Sequence, residues 1–300
     1  IVPQRIGVLN FHLSLQSDFI NKEDYMKKIK IITDSTSYIL KEYAEKNNIT
    51  VIPLSYYFGD EMEKEGFPGE FQEFFQKLEN SKLFPTTSQP STGNFLEEFK
   101  RAFEEGYDEI IAILLSSKLS GTYNSGVLAK NILGDERISI VDSEQAASNL
   151  RFLVEDAINM TKDGKSMEEI VKHIENKKTK MHVYFTVDTL EYLKRGGRLS
   201  TFQSAIGSVL NIKPIIQLKY GVLDSIEKVR GKNKALNSIA NKVYENVEKI
   251  SICHVLNLEE AEKIKESLEK KFPKAEISID ELGPVIGCHL GPGGIGICFY

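Results

Sequence analysis

Short hydrophobic runs alternate with segments of helical periodicity along most of the chain. Runs rich in β-branched residues occupy 29–33, 50–58, 110–115 and 137–141, and we predict strands there. The segments between them have apolar residues at helical spacing, as with Phe95, Phe99 and Phe103. A helix is also predicted from Asp34 to about Lys46, and a loop over 85–92. Nearly uniform apolar strands that alternate with helices are typical of a parallel sheet covered on both faces. The first half therefore predicts an α/β fold.

The second half has a different pattern. Strands are predicted at 182–187, 250–255 and 276–279, and a hairpin over 215–218 and 222–229. Helices are predicted at 167–175, near 202–210, at 234–247 and at 258–270. We place a domain boundary near residue 163. The prediction is a parallel-sheet α/β domain over 26–163 and a second α/β domain of α+β character over 164–300. Residues 1–25 are predicted to be an extension outside the core fold.

Composition narrows the function classes. The chain has 38 Lys and Arg against 43 Asp and Glu, a net charge of −5 without a long basic block, which argues against nucleic-acid binding. The longest apolar run is far shorter than the roughly 20 residues of a transmembrane helix, so no transmembrane segment is predicted. Three cysteines without a C-x-x-C pair and five unclustered histidines predict no metal site. A reducing, cytoplasmic location is expected.

Hydroxyl-bearing turns follow the predicted strands of the first half. Asp34-Ser35, Ser116-Ser117 and Asp142-Ser143 each lie between a strand and a helix. In a parallel sheet these turns meet at the carboxyl edge, where ligands bind and helix N-termini favour an anion. Further hydroxyls come from Thr87, Ser88, Ser120 and Thr122, the last two flanking Gly121. The same residue types also cap helices, so this interpretation stays open.

One histidine and three arginines are further candidates. His289 lies in a stretch rich in glycine and proline, which predicts a loop whose backbone can approach a ligand closely. A lone histidine is also often a structural residue. Arg195, Arg198 and Arg230 could bind an anion or lie on the surface.

Six motifs, taken in order, resemble one family. They are Ile32-Thr33-Asp34-Ser35-Thr36, Thr87-Ser88-Gln89-Pro90-Ser91, Leu119-Ser120-Gly121-Thr122-Tyr123, Val141-Asp142-Ser143, Arg195-Gly196-Gly197-Arg198-Leu199 and Gly287-Cys288-His289-Leu290-Gly291-Pro292-Gly293. Together they resemble the DegV family of bacterial fatty-acid-binding proteins, from Met26 to the end of the sequence.

This resemblance implies a function and a partner. A DegV protein would hold one long-chain fatty acid between its domains and present the carboxylate to a separate ATP-dependent fatty-acid kinase, giving an acyl phosphate for phospholipid synthesis. It would not itself be an enzyme and would need no cofactor. The implied carboxylate contacts are Thr87, Ser88, Ser120, Gly121, Thr122 and His289. The implied kinase-docking residues are Arg195, Arg198 and Arg230.

The acyl tail requires a long apolar slot in the second half. We predict that its wall includes Phe185, Phe202, Ile206, Leu210 and Ile215, where small residues between 202 and 216 could leave a channel.

Two other functions remain open on the sequence. One is a serine hydrolase or acyltransferase with Ser120 as nucleophile and His289 as base, although no G-x-S-x-G elbow is present. The other is a module that binds a small phosphorylated metabolite, for which only Lys118 offers a cation beside the hydroxyl turns.

Overall fold

The computed structural model describes residues 27–81, 83–198 and 212–300. The strands are β1 (Ile29–Asp34), β2 (Thr50–Ile52), β3 (Ser55–Phe58), β4 (Glu61–Lys64), β5 (Thr86–Ser88), β6 (Glu109–Leu114), β7 (Ile138–Asp142), β8 (His182–Thr186), β9 (Ile212–Lys219), β10 (Val222–Arg230), β11 (Lys249–His254), β12 (Glu276–Glu281) and β13 (Ile295–Phe299). The helices are α1 (Lys41–Lys46), α2 (Gln72–Asn80), α3 (Thr92–Glu104), α4 (Thr122–Leu133), α5 (Ala147–Lys162), α6 (Met167–Lys178), α7 (Glu191–Arg195), α8 (Lys232–Ala240), α9 (Leu258–Lys271) and α10 (Pro284–Leu290).

The first half folds around a parallel sheet of order β2-β1-β6-β7. Every residue of β6 is buried, because helices cover both faces of the sheet. Phe95 and Phe99 of α3 pack on one face with Ala129 of α4, and α5 and α6 pack on the other. The predicted parallel α/β architecture is confirmed.

The second half contains a mixed sheet of order β10-β9-β8-β13-β11-β12, in which only β11 and β12 pair in parallel. The predicted hairpin is confirmed as β9 and β10, which meet at Tyr220 and Gly221. Helices α8 and α9 cover one face of this sheet. The other face turns toward the first half, where Phe185, Leu218 and Cys298 join residues of the first half in one apolar cluster.

A third, small sheet of order β4-β3-β5 was not predicted. The run 50–58, predicted as one strand, divides at Pro53 into β2 of the parallel sheet and β3 of the small sheet. Proline lacks the amide hydrogen that a continuous ladder needs, which accounts for the break. The segment 85–92, predicted as a loop, contributes the edge strand β5.

Other local predictions need correction. The helix predicted from Asp34 to Lys46 is a short 3₁₀ turn followed by α1, because the left-handed backbone of Tyr38 (φ 48°) interrupts it. Helix α8 ends at Ala240, seven residues before the predicted end. The glycine-rich stretch around His289 is a helix, α10, and not a loop. Pro284 at its first position and Gly291 (φ 70°) just after it are the residue types that begin and end helices.

The predicted extension 1–25 and the helix predicted near 202–210 lie outside the described residues. The predicted boundary near residue 163 falls in the turn between α5 and α6. Ile170 and Ile174 of α6 pack with residues of the first half, and the boundary itself stays a prediction. Within the described ranges, none of the helices is long and apolar enough to span a bilayer.

The paired phenylalanines of α3 generate a stability prediction. Phe99 is fully buried beside Phe95, with ring centroids 5.9 Å apart. Replacing Phe99 by Ala should lower the free energy of unfolding by roughly 3–5 kcal/mol, because the side chain leaves a cavity in a close-packed core. Urea denaturation measures the change. Leu128→Ala on α4, where Leu128 is 54% exposed, is the control and should stay within about 0.5 kcal/mol. A loss for Phe99→Ala as small as the control's would contradict the packing described.

Candidate functional site

A cavity of about 290 Å³ lies where the two halves meet. This volume far exceeds the roughly 10–15 Å³ that a cavity needs to hold one water, and well-packed interiors seldom leave such a space. Its wall combines residues from both halves. Most are apolar, including Leu54, Leu115, Phe185, Leu218 and Ile286.

The polar part of the wall is centred on Thr87 and His289. Thr87 is on β5 of the small sheet and His289 is near the end of α10, and their Oγ1 and Nε2 atoms are 2.8 Å apart. The contact joins the two halves of the chain. Gly196, of the Arg195-Gly196-Gly197-Arg198 motif, lies against the imidazole so closely that a Cβ there would overlap Nδ1. Glycine at 196 is therefore required for space.

His289 is electrically neutral at ordinary pH. Burial, and then the positive charge of Arg198, lower the pKa of His289 to about 3. Nδ1 is buried and has no hydrogen-bond partner among the described residues. The Arg198 guanidinium donates to the carbonyl oxygen of Leu119 at 3.1 Å and to that of Gly196, and burial lowers its pKa. The polar end of the cavity therefore combines a neutral imidazole with one cation.

The predicted hydroxyl turn lies at the same end. Ser120 lines the cavity, and its Oγ is 2.9 Å from Oγ1 of the buried Thr122, the first residue of α4. Gly121 precedes the helix without a side-chain cap, and a Cβ on it would overlap the Gln89 side chain. Ser88 and Gln89 also line the cavity. The structure thus brings Thr87, Ser88, Ser120 and His289 to one cavity and places Gly121 and Thr122 directly behind Ser120.

The predicted tail residues divide into three groups. Phe185 lines the cavity. Ile215 does not: it packs among the residues of α8 and α9 on the other face of the mixed sheet, because successive strand residues point to opposite faces. Phe202, Ile206 and Leu210 lie outside the described residues.

Sequence reasoning missed the part of the wall that comes from the first half and from α10. Leu54, Leu115, Leu119 and Ile286 belong to it. Leu54, Leu115 and Leu119 lie in connections that follow strands, and Ile286 lies on α10. No signal in the sequence distinguishes these cavity-lining residues from core residues.

The three candidate arginines differ in their surroundings. Arg195 is exposed, bonded to Glu191 at 2.6 Å and positioned over the Phe84 ring. Arg230 is exposed at the end of β10. Arg198, the third candidate docking residue, is partly buried and lines the cavity.

The geometry bears on the two alternative functions. A serine nucleophile needs its base within about 2.6–3.2 Å, but Ser120 Oγ bonds to Thr122 and His289 Nε2 bonds to Thr87. The candidate orienting carboxylates are engaged elsewhere, Asp34 with Thr36 and Leu115, and Asp142 with backbone amides. Arg198 is the only basic side chain lining the cavity among the described residues, where a phosphorylated metabolite would call for more.

In the part of the chain that the structure describes, no group of three or more histidine, cysteine, aspartate or glutamate side chains lies close enough together to hold a metal ion.

These features define a class: an α/β protein in which a parallel and a mixed sheet enclose an apolar cavity with one polar end. The family model described as "Uncharacterised protein, DegV family" matches residues 28–300, and the chain belongs to the DegV family. A DegV domain-containing protein of Halalkalibacterium halodurans is 36% identical over 280 residues, covering 92% of this chain and 99% of that protein.

Solved structures of similar proteins share the fold. DegV of Bacillus subtilis, described as a fatty acid binding protein, is 36% identical with a TM-score of 0.81, covering 91% of this chain and 99% of that one. A DegV family protein from Thermus thermophilus, described by its fatty acid binding, is 32% identical with a TM-score of 0.82 over the same shares.

The buried imidazole generates a pH prediction. Because the folded state resists protonation of His289, the NMR signals of its ring should show no titration between pH 8 and 5. In the urea-unfolded chain they should titrate near 6.5. Arg198→Gln should raise the pKa of His289 but leave it below 6.5, since burial is the larger cause.

The same shift links His289 to stability. Because its pKa is lower in the folded state, His289 binds fewer protons there than in the unfolded state. The stabilisation that this difference gives the folded state is complete above pH 6.5 and is lost as the pH falls toward 3. Between pH 7 and pH 4, the free energy of unfolding should fall by roughly 3 kcal/mol more for the wild type than for His289→Gln. A ring titration with a midpoint near 6.5 in the folded protein would refute both expectations.

Proposed function

We propose that this protein binds one long-chain fatty acid, with its tail in the cavity and its carboxylate at Thr87, Ser88, Ser120 and His289. The observation that carries the proposal is the composition of the cavity wall, in which apolar residues from both halves are joined by hydroxyls, a neutral imidazole and one guanidinium. Relatives that share this fold are described as fatty-acid-binding proteins, which supports the same ligand class.

Burial of the tail would supply most of the affinity. Each buried methylene contributes about 0.8 kcal/mol, so about 14 methylenes give roughly 11 kcal/mol before the cost of ordering the ligand. A charge-assisted hydrogen bond at the carboxylate adds about 1.5–3 kcal/mol. The tail would thus set the strength of binding, and the polar end would set its direction.

The polar end suits an ionised acid through its proton arrangement. Nδ1 of His289 has no acceptor nearby among the described residues, so the single proton is better placed on Nε2, which faces Thr87. In that tautomer Nε2–H donates to Thr87 Oγ1, and the Thr87 hydroxyl is free to donate to a carboxylate oxygen. Arg198 would balance the charge of the acid.

The second step of the proposed function is presentation of the carboxylate to an ATP-dependent fatty-acid kinase, in the cytoplasm of a bacterium and for phospholipid synthesis. This partner is implied by the family resemblance. The exposure of Arg195 and Arg230 supports a docking role for both, since each can reach a second protein. We propose that Arg198 contributes to docking through its exposed part and to carboxylate binding through its buried part.

Lipid extraction tests the ligand. Purified protein, denatured and extracted with organic solvent, should yield close to one fatty acid per chain by mass spectrometry. Ser120→Ala should weaken retention of the acid modestly, by about three- to tenfold in Kd, because the tail remains buried while one hydrogen bond is lost. Leu128→Ala, on the exposed face of α4, is the control. A polar phosphorylated compound in the extract, or turnover of an acyl ester that Ser120→Ala abolishes, would reject the proposal.

The arginines test the partner. With a fatty-acid kinase and ATP, Arg230→Ala should reduce acyl-phosphate formation at least tenfold while its lipid content stays at the wild-type level, because Arg230 lies outside the cavity wall. Arg198→Ala should reduce both lipid retention and phosphorylation. Equal phosphorylation by wild type and Arg230→Ala would remove Arg230 from the docking surface.

A further inference from the structure

Helix α10, which carries His289, is attached to the small sheet at both of its ends. Near its C-terminal end, His289 meets Thr87 of β5. At its N-terminal end, the Val285 amide donates to Glu65 Oε1 at 2.7 Å. Glu65 directly follows β4, so both attachments come from the same small sheet. Val285 and His289 are four residues apart, about one helical turn, and therefore lie on the same face of α10.

The Glu65 side chain is buried where it contacts α10, and further hydrogen bonds hold it there. It is 4% exposed, and its other oxygen accepts from Ser35 Oγ at 2.6 Å. Tyr38 Oη donates to Glu65 at 3.3 Å and accepts from the Ile286 amide at 3.3 Å. The first turn of α10 has no cap from its own chain segment, since its N-cap residue is Gly283. Glu65 and Tyr38, more than 200 residues earlier, satisfy its amides instead.

Gly283 allows the close approach. A Cβ at this position would lie 2.8 Å from Glu65 Oε1, 2.8 Å from the Tyr38 ring and 2.7 Å from the Phe71 ring. Any larger residue would push the start of α10 away from the small sheet. The Gly283-Pro284 start of the helix is therefore fitted to Glu65 and Tyr38.

We propose that Glu65 is a positioning residue for the carboxylate site: its side chain fixes the first turn of α10 so that His289, one turn further, meets Thr87 and the acid. The proposal rests on the proposed function. Glu65 does not line the cavity, so it would act through His289 and not by contact with the ligand.

The charge state of Glu65 would then affect binding. Burial raises the pKa of Glu65 to about 7. The hydrogen bonds from Ser35, Val285 and Tyr38 lower this pKa, and the nearby carboxylate of Asp34 raises it. On α10 itself, the titratable neighbour is Cys288, whose pKa is raised by burial and by Glu65. The ionised carboxylate makes the stronger, charge-assisted bond to the helix amide. As the pH falls through 7 this bond weakens, and binding through His289 should weaken with it.

The test measures oleate binding to delipidated protein at pH 8 and pH 6, by displacement of a fluorescent fatty acid. At pH 8, Glu65→Gln should bind oleate about fivefold more weakly than wild type, because an amide keeps the acceptor but loses the charge. At pH 6 the difference should shrink, since wild-type Glu65 is then largely protonated. Glu63→Gln is the matched control: Glu63 lies on β4 but bonds to Lys77 and Tyr56, and should bind as wild type does.

A double-mutant cycle separates positioning from general stability. In a His289→Ala background, Glu65→Gln should cause no further loss of oleate affinity, because the residue through which it acts is gone. Tyr38→Phe, which removes the hydroxyl between Glu65 and Ile286, should reproduce part of the loss in the wild-type background. The proposal would be overturned if Glu65→Gln and Tyr38→Phe both bound oleate with wild-type affinity at pH 8. It would also be overturned if Glu65→Gln caused its full loss of affinity in the His289→Ala background.

Hydrogen exchange of the lipid-free protein distinguishes this failure from failure of the proposed function. Peptides that cover α10 should exchange faster in Glu65→Gln than in Glu63→Gln or wild type. If wild type does not bind oleate, both the proposed fatty-acid function and the positioning role of Glu65 are rejected. Faster exchange in Glu65→Gln would then show only that Glu65 anchors α10 to the small sheet. If wild type binds oleate and exchange in α10 is unchanged by Glu65→Gln, only the positioning role is overturned.

Discussion

The hydrogen bond between Thr87 and His289 is the constraint around which the rest of the structure is arranged. It joins side chains 202 positions apart in the sequence, and it closes the polar end of a cavity whose wall comes from both halves. Without this contact, neither ring nitrogen of the buried imidazole would have a hydrogen-bond partner among the described residues. The loss of the partner for Nε2 would cost about 1–3 kcal/mol. The small sheet and α10 are therefore held in one relative position.

The neighbourhood of this bond is organised around a neutral imidazole. Burial and Arg198 both disfavour the imidazolium form of His289. A neutral ring leaves the positive charge of the site on Arg198 alone, and the hydroxyls provide directional donors without further charge. The arrangement differs from a catalytic triad, in which a serine hydroxyl would occupy the position that Thr87 takes and a carboxylate would orient the second ring nitrogen.

Much of the fold could be predicted from the sequence because its signals are local. The apolar strands β1, β6 and β7 and the phenylalanine repeat of α3 indicate a covered parallel sheet within windows of a few residues. The turn around Ser120 and the hydroxyls at Thr87 and Ser88 stand out for the same reason, and they do meet at one cavity. The glycines near His289 marked the right segment but suggested a loop, since helix-flanking glycine and loop glycine look alike in sequence.

What could not be predicted depends on contacts between distant segments. Glu65 follows the charged strand Glu61–Lys64, whose sequence indicates a solvent-exposed segment. Its burial depends on contacts with Ser35, Tyr38 and α10, all distant in sequence. Ile215 was assigned to the tail pocket because it is apolar, yet the register of β9 turns it to the opposite face.

The cavity between the halves has a thermodynamic consequence for the chain as a whole. A hydrophobic occupant would complete the interior, so under the proposed function folding and lipid supply are linked equilibria, with a stabilisation that grows by about 1.4 kcal/mol for each tenfold excess of free ligand over Kd. Without lipid, the protein would open more often where its two halves meet and would be degraded sooner. Abundance of the protein would then follow the availability of its cargo without any dedicated sensor.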